Sequence, residues 1–377
     1  MSGDFRARLR AALMGLAGMV ALGLGVTAAT AQGAAPSPDA TNAAGANAPG
    51  ANASGANASA ADAWADPDLV RAARAEGGSV TVYSSVNEQE ALPFWKLFED
   101  ATKLKVEYVR GSDVVLIGRI AIEQRARQRS WDLLLSPAVG RLPRDYMQPI
   151  DLSEAKYLMP QARDPERRWY GVYANYDVPS YNSKLVNSSD LPKSYEEFLD
   201  HKEWAGRIAV EQTDVQWLAA LFTHYGEARA RKLIADIVST LKPVVIDGHL
   251  ALARAVAAGE YAVTLNNYLN LTLNMRLSGA PADYWGLDPV AVFFGSVAVN
   301  PLAPHPKTAQ LAANFVLSPE AQHMLTTSGR LPVRPDVMPN PADAVTRLGQ
   351  RKIIVVDFPG EEEKKWQRTF QDLFRPR

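Results

Sequence analysis

Between Val80 and Ser136 the chain alternates strand, helix, strand, helix and strand, and this order constrains the fold more than any single residue does. Val80-Thr81-Val82-Tyr83-Ser84 is β-branched and aromatic, and Ser84-Ser85-Val86-Asn87 behind it can cap a helix. That helix is expected from Glu88 to Thr102, with Leu92, Trp95, Leu97, Phe98 and Ala101 on its apolar side; Pro93 predicts a late start or a kink. Lys105 to Val109 alternates as a strand, Arg110-Gly111-Ser112 turns, and Asp113 to Gln128 is amphipathic with Val114, Ile117, Ile120 and Ala121 inward. Trp131 to Ser136 is almost wholly apolar. Such strands, alternating with helices, predict an α/β parallel sheet covered on both faces, with a ligand crevice beyond the carboxyl ends of its strands. Ser84, Ser85, Asn87, Arg110, Ser112 and Ser136 are expected to meet there.

At 377 residues the chain has room for two lobes, and 47% apolar residues supply a sizeable core. Arg6, Arg8 and Arg10, an apolar stretch from Ala11 to Val26 and then Ala29-Thr30-Ala31 fit a secretory leader over 1–31, cut after Ala31; a membrane anchor is the rival reading. Residues 32–61 repeat Gly45-Ala-Asn-Ala-Pro49, Gly50-Ala-Asn-Ala-Ser54 and Gly55-Ala-Asn-Ala-Ser59, a composition that buries too little apolar surface to fold and reads as a tether. Cysteine is absent, which removes disulfides, thiol catalysis, cysteine metal sites and a lipidated cysteine. The net charge of −1 becomes about −3 once the leader, with three Arg and one Asp, is removed, so bulk attraction to nucleic acid or an acidic membrane is not expected.

Further along, Ser194 with Glu197 reads as a capping box, Trp204 to Val210 leads into a strand, and Glu211 to Gln216 forms a polar corner before a helix from Trp217 to Tyr225. Leu250 to Gly259 is an alanine-rich helix; Tyr261 to Leu265 is the next strand and ends in Asn266-Asn267-Tyr268. Val290 to Asn300 is a long apolar strand, followed by helices over 308–317 and 319–328. The five histidines have no metal-ligand spacing and read as solvated or capping residues. Arg125, Arg127 and Arg129 end an amphipathic helix, where they complement its dipole. No Gly-x-Ser-x-Gly elbow, His-Glu-x-x-His or phosphate loop is present at the required places, which weighs against the rival class, an exported serine hydrolase, and no cofactor is expected.

Val82-Tyr83-Ser84-Ser85 with Asn87-Glu88, Tyr181-Asn182-Ser183-Lys184-Leu185, Leu191 to Phe198, Trp204 to Ile208, Asn266-Asn267-Tyr268 and Leu331 to Pro335, in this order, resemble the bacterial extracellular solute-binding proteins of ABC importers, iron-binding-protein-like group. The resemblance implies a type II periplasmic-binding fold, with one solute closed between two α/β lobes. They would cover 76–178 plus 297–345 and 179–296 plus 346–377, with hinges near Val178 to Asn182 and Phe293 to Val299, and the tail packing back on the second lobe. It also implies a periplasmic location, an inner-membrane permease as partner, no catalysis and a monomer. Family members that hold ferric ion use paired tyrosines with a histidine and a glutamate; here the corresponding positions read Tyr268-Leu269, Asn87 and Pro137. A small organic or oxyanionic solute is therefore expected, with ferric iron on Tyr268 as the alternative. Candidate contacts are Ser84, Ser85, Asn87, Ser112, Ser136, Thr213, Asn266 and Tyr268, with Gln216, Ser296 and Trp217 nearby.

Overall fold

The computed structural model describes residues 64–357 and 360–374; the leader and tether lie outside the described residues. The chain opens with α1 (Pro67–Ala75), β1 (Ser79–Ser84), α2 (Glu88–Thr102), β2 (Lys105–Arg110), α3 (Asp113–Arg125) and β3 (Leu133–Ser136). β1 pairs in parallel with both β2 and β3, as the alternating pattern predicts. Asn87 caps α2, its Oδ1 accepting from the Glu90 N–H at 3.0 Å, and Pro93 lies inside the helix without delaying its start.

The buried faces of these helices differ from expectation. α2 buries Ala91, Phe94, Trp95, Phe98 and Thr102, while Leu92 and Leu97 face outward. α3 ends at Arg125 and buries Leu116, Ile120 and Glu123, whereas Val114 is 75% exposed. Both helices carry apolar residues around more than half their circumference, so the partner rather than the periodicity selects the face. For α2 that partner is the aromatic cluster of Trp64 and Phe315, whose rings lie 5.3 to 6.1 Å from those of Phe94, Trp95 and Phe98.

Short 3-10 turns lead to β4 (Tyr170–Asp177), buried along its whole length, and β5 (Ser180–Asn182). The Ser194 hydroxyl does accept from the Glu197 N–H, but in a 3-10 turn, with the Glu197 carboxylate turned to the Lys193 N–H. There follow β6 (Ile208–Glu211), α4 (Val215–Tyr225), α5 (Glu227–Leu241), β7 (Val244–Ile246), α6 (His249–Ala258), β8 (Val263–Thr264), α7 (Leu269–Leu277) and β9 (Ala282–Tyr284). Gly259 ends α6 at φ +83°, a left-handed conformation that suits glycine. The chain closes with β10 (Val290–Val299), α8 (Pro306–Val316), α9 (Pro319–Thr327), β11 (Leu331–Pro332), β12 (Ile353–Val355) and α10 (Gly360–Phe374).

Two sheets result. One runs β11-β4-β10-β3-β1-β2, with β12 added beside β10; the other runs β7-β6-β8-β5-β9. Neither is purely parallel, because β10 pairs antiparallel with both β3 and β4, and β5 pairs antiparallel with β8 and β9. The chain first crosses between sheets at 178–179, inside the expected hinge. The return differs: β10 pairs with β4 from Ala291 to Val297, so it lies in the first sheet throughout and the crossing falls at 285–289, ahead of the expected 293–299. The C-terminal tail then spans both halves. β12 pairs with β10 of the first sheet, while Trp366, Phe370 and Phe374 of α10 join the core around Trp217 and Phe222 of the second.

Candidate functional site

The site is built from strand-to-helix corners of the second sheet, and each corner is fixed by side chains. Glu211, at the carboxyl end of β6, is fully buried; its carboxylate accepts from Thr213 N–H at 2.6 Å, the Thr213 hydroxyl at 2.8 Å and Gly248 N–H at 2.9 Å. Three donors to one carboxylate satisfy a charge that burial alone would penalise. Asn266, just past β8, ties this corner to its neighbour. Its Oδ1 accepts from the Glu211 N–H at 2.8 Å, and its Nδ2 donates to Asp214 Oδ2 at 2.9 Å. Asp214 in turn caps α4 by accepting from the Trp217 N–H.

Tyr268 projects from the second corner. Asn267 Oδ1 accepts from the Tyr268 N–H at 2.9 Å and stands 3.1 Å from His249 Nδ1, and the His249 ring stacks on the Tyr268 ring with centroids 3.4 Å apart. Phe293 of β10 packs edge-on against the same ring at 5.4 Å. Asp177, the last residue of β4, pairs with Tyr268 as a lone antiparallel bridge, so the ring sits where the chain crosses between sheets. Burial, followed by the charges of Asp214, Asp177 and Glu211, pushes the Tyr268 phenol well above its ordinary range and keeps it a neutral hydroxyl. The Asp177 carboxyl is likewise pushed well up, first by burial and then by Asp214 and Glu211.

Facing these corners across a cleft of about 590 Å³ are Ser112, Asp113, Val114, Pro137 and Arg141. Ser112 caps the start of α3 with no side-chain cap bond and is exposed, and Asp113 accepts from the Ser136 hydroxyl at 2.5 Å. Of the eight residues expected to touch a solute, Ser112, Thr213 and Tyr268 line this cleft. The others turn away for local reasons. Ser84 is buried with its hydroxyl accepting from the Val86 N–H, and Ser136 accepts from the Ala138 N–H while donating to Asp113. Asn266 is consumed by the corner, Asn87 by the cap of α2, and Ser85 is half-buried beside that cap. Arg110 is exposed away from the cleft lining, and Trp217 is core, its indole N–H donating to the Tyr195 hydroxyl at 2.8 Å.

Several lining residues escaped the sequence reading. His249, expected to be solvated or capping, is a ring platform for Tyr268. Arg141, Gln212 and Phe293 carry no motif, and Glu363, Gln367 and Gln371 come from α10, more than ninety positions after Tyr268. Among the described residues no three His, Asp or Glu side chains gather into a set able to hold a metal ion.

The profile of a family described as "Bacterial extracellular solute-binding protein" matches residues 142–358. The "Fe(3+)-binding periplasmic protein" of Serratia marcescens is 26% identical over 196 residues, a match that spans 50% of this chain and only 56% of that relative. Iron-bound HitA from Pseudomonas aeruginosa superposes with a TM-score of 0.65 at 23% identity, over 78% of this chain and 99% of that one. The periplasmic binding protein AfuA from Actinobacillus pleuropneumoniae, with fructose-6-phosphate bound, superposes with a TM-score of 0.66 at 18% identity, over 80% of this chain and all of that one. At these identities the likeness is one of fold, the two-lobe arrangement in which the corners above face each other. With more than half of its length matched by the profile, the chain belongs to the bacterial extracellular solute-binding protein family.

Proposed function

We propose that this protein is the periplasmic receptor of an ABC importer, which captures one small organic or oxyanionic solute in the cleft, closes by bending at the two crossings, and hands the solute unaltered to an inner-membrane permease. The observation that carries this reading is that the walls of the 590 Å³ cleft come from both sheets: Ser112 and Pro137 on one side, Thr213 and Tyr268 on the other. A solute that reaches both walls only when the halves approach favours the closed form, because part of its binding energy is available in that form alone. In this role Ser112, Thr213 and Tyr268 touch the solute. Ser136, bonded to Asp113, and Asn266, bonded to Glu211 and Asp214, hold the corners that aim them, while Ser84, Ser85 and Asn87 belong to the separate corner between β1 and α2. The receptor works as a monomer, and the division into lobes follows the crossings at 178–179 and 285–289. The Serratia relative and AfuA, both named as periplasmic, and the shared fold of AfuA and iron-bound HitA support the reading.

Calorimetry against a panel of small organic solutes and oxyanions tests the reading, with Tyr268→Ala as the paired variant. Loss of the ring should weaken binding by about 2 kcal/mol, roughly thirtyfold, measured at a temperature where both proteins are folded. Equal affinity in both proteins removes Tyr268 from the site; measurable turnover of an ester or peptide would favour the hydrolase class instead.

A further inference from the structure

The cleft has a wall that the matched family region does not supply. The family match ends at residue 358, and α10 begins at Gly360. One side of α10 is anchored: Trp366 packs edge-on against Phe222 at 5.1 Å and Phe374 lies 6.3 Å from Trp217, which fixes the helix on the second core. The stripe beside these anchors presents Glu363, Gln367 and Gln371, spaced four residues apart and therefore in line, to the cleft, with Phe370 between the two. Glu363 reaches across to the first half, where its Oε2 lies 2.5 Å from Arg141 Nε. Both partners are mostly buried, with side chains 10% and 24% exposed, so this pair is not a solvated surface contact.

Arg141 is the only Arg or Lys among the described residues that line the cleft, and Glu363 already occupies it. An incoming anion would have to displace a carboxylate from a partly buried guanidinium and leave that carboxylate's charge uncompensated, with only the Gln367 amide donating to it at 3.1 Å. The remaining charge points the other way. Asp113 lines the opposite wall with no cation from the described residues on it, and Glu211 sits buried 3.4 Å behind His249 Nε2. Aromatic faces from Tyr268 and Phe293 complete a lining that suits a cation.

We infer that α10 is a third wall of the solute cleft and that Glu363, by holding Arg141, sets the cleft for a positively charged organic solute of the amine class and against anions. This rests on the receptor reading above and narrows it. An ammonium group would sit between the Asp113 carboxylate and the Tyr268 ring, and the amides of Gln367 and Gln371 would read the polar groups around it.

The test uses the full exported chain at low ionic strength, with putrescine, spermidine and choline as cationic probes, inorganic phosphate and glucose 6-phosphate as anionic ones, and glucose and glycerol as neutral ones. The wild type should bind at least one amine and neither anion. Glu363→Gln, which frees Arg141, should shift the ratio of amine to phosphate affinity at least tenfold toward phosphate, and Asp113→Asn should weaken the amine at least tenfold with Arg141 untouched. Wild-type binding of either anion, failure to bind any amine, or an unchanged ratio in Glu363→Gln overturns the assignment. Binding of an anion or a neutral probe alone would sink the charge assignment while leaving the receptor reading standing; binding of no probe of any class counts against both.

Discussion

Replacing Gly295 with alanine should cost about 3 kcal/mol, and the reason lies in one buried ring. Gly295 of β10 is paired across the sheet with Tyr173 of β4, and a Cβ added at Gly295 would lie 2.1 to 2.5 Å from three atoms of the Tyr173 ring. The ring would have to retreat by about 1 Å to reach even the shortest separation that real Cβ atoms tolerate. It has little room to do so, being 1% exposed, with the Arg330 guanidinium 4.3 Å from its centroid. Arg330 is itself held by Glu90 through two hydrogen bonds, at 2.7 and 3.1 Å, so this neighbour of the ring cannot give way freely. Overpacking a close-packed interior costs about 1–3 kcal/mol, and a ring this deeply buried belongs at the upper end. Urea unfolding of the wild type, Gly295→Ala, Tyr173→Ala and the double variant closes a thermodynamic cycle. If the clash is the cause, the alanine at 295 should cost about 2 kcal/mol less once the ring is gone. A cost for Gly295→Ala within about 0.5 kcal/mol of zero, or one that is the same with and without Tyr173, refutes the reasoning.

Three further outcomes follow from the site. Asn266→Ala removes the acceptor of the Glu211 N–H and a donor to Asp214, leaving both unsatisfied in a buried corner; a loss of about 1–3 kcal/mol in urea unfolding is expected, against none if water takes the place of the amide. Because burial and neighbouring carboxylates raise the Asp177 carboxyl, the folded state holds this proton more tightly than the unfolded chain, whose value lies near 3.9. Its contribution is therefore present below that value and is lost as pH rises toward the folded one, so Asp177→Asn should gain stability relative to wild type between pH 5 and pH 8. A difference that does not change over that span contradicts the assignment. Trp366→Ala should cost about 3 kcal/mol by emptying the space against Phe222, and it should raise amide hydrogen exchange in α10 before the rest of the second core; uniform protection would show that α10 is not a separable unit.

The first half of the chain was legible because its elements are separated by strong local punctuation. Asn87 and Ser112 mark helix starts, and β1 and β2 alternate or bunch as strands do, so their bounds come out within a residue or two. Helix faces were less legible. Leu92 and Leu97 are as apolar as Phe94 and Trp95, and only the position of Phe315, more than two hundred residues away, decides which of them goes inside. In the site, Ser112, Thr213 and Tyr268 could be named because each follows a corner that the α/β pattern directs toward a crevice. Ser84, Ser136 and Asn266 occupy similar corners, but their side chains are taken up by local hydrogen bonds, a distinction that residue type does not carry. His249 lacks any metal-ligand spacing, and its stacking on Tyr268 leaves no trace in sequence spacing at all. Glu363, Gln367 and Gln371 look like the solvated side of a charged helix, and only the packing of Trp366, Phe370 and Phe374 reveals where that side points.

The central claim is that a small solute is held between Tyr268 and the wall opposite it. Thermal unfolding across a broad library of small organic solutes, run in parallel on the wild type and on Tyr268→Ala, tests it most directly. The account predicts that members of one chemical class raise the wild-type midpoint in proportion to the logarithm of their concentration and lose most of that effect in the variant. A library that shifts neither protein, or shifts both alike, would contradict it.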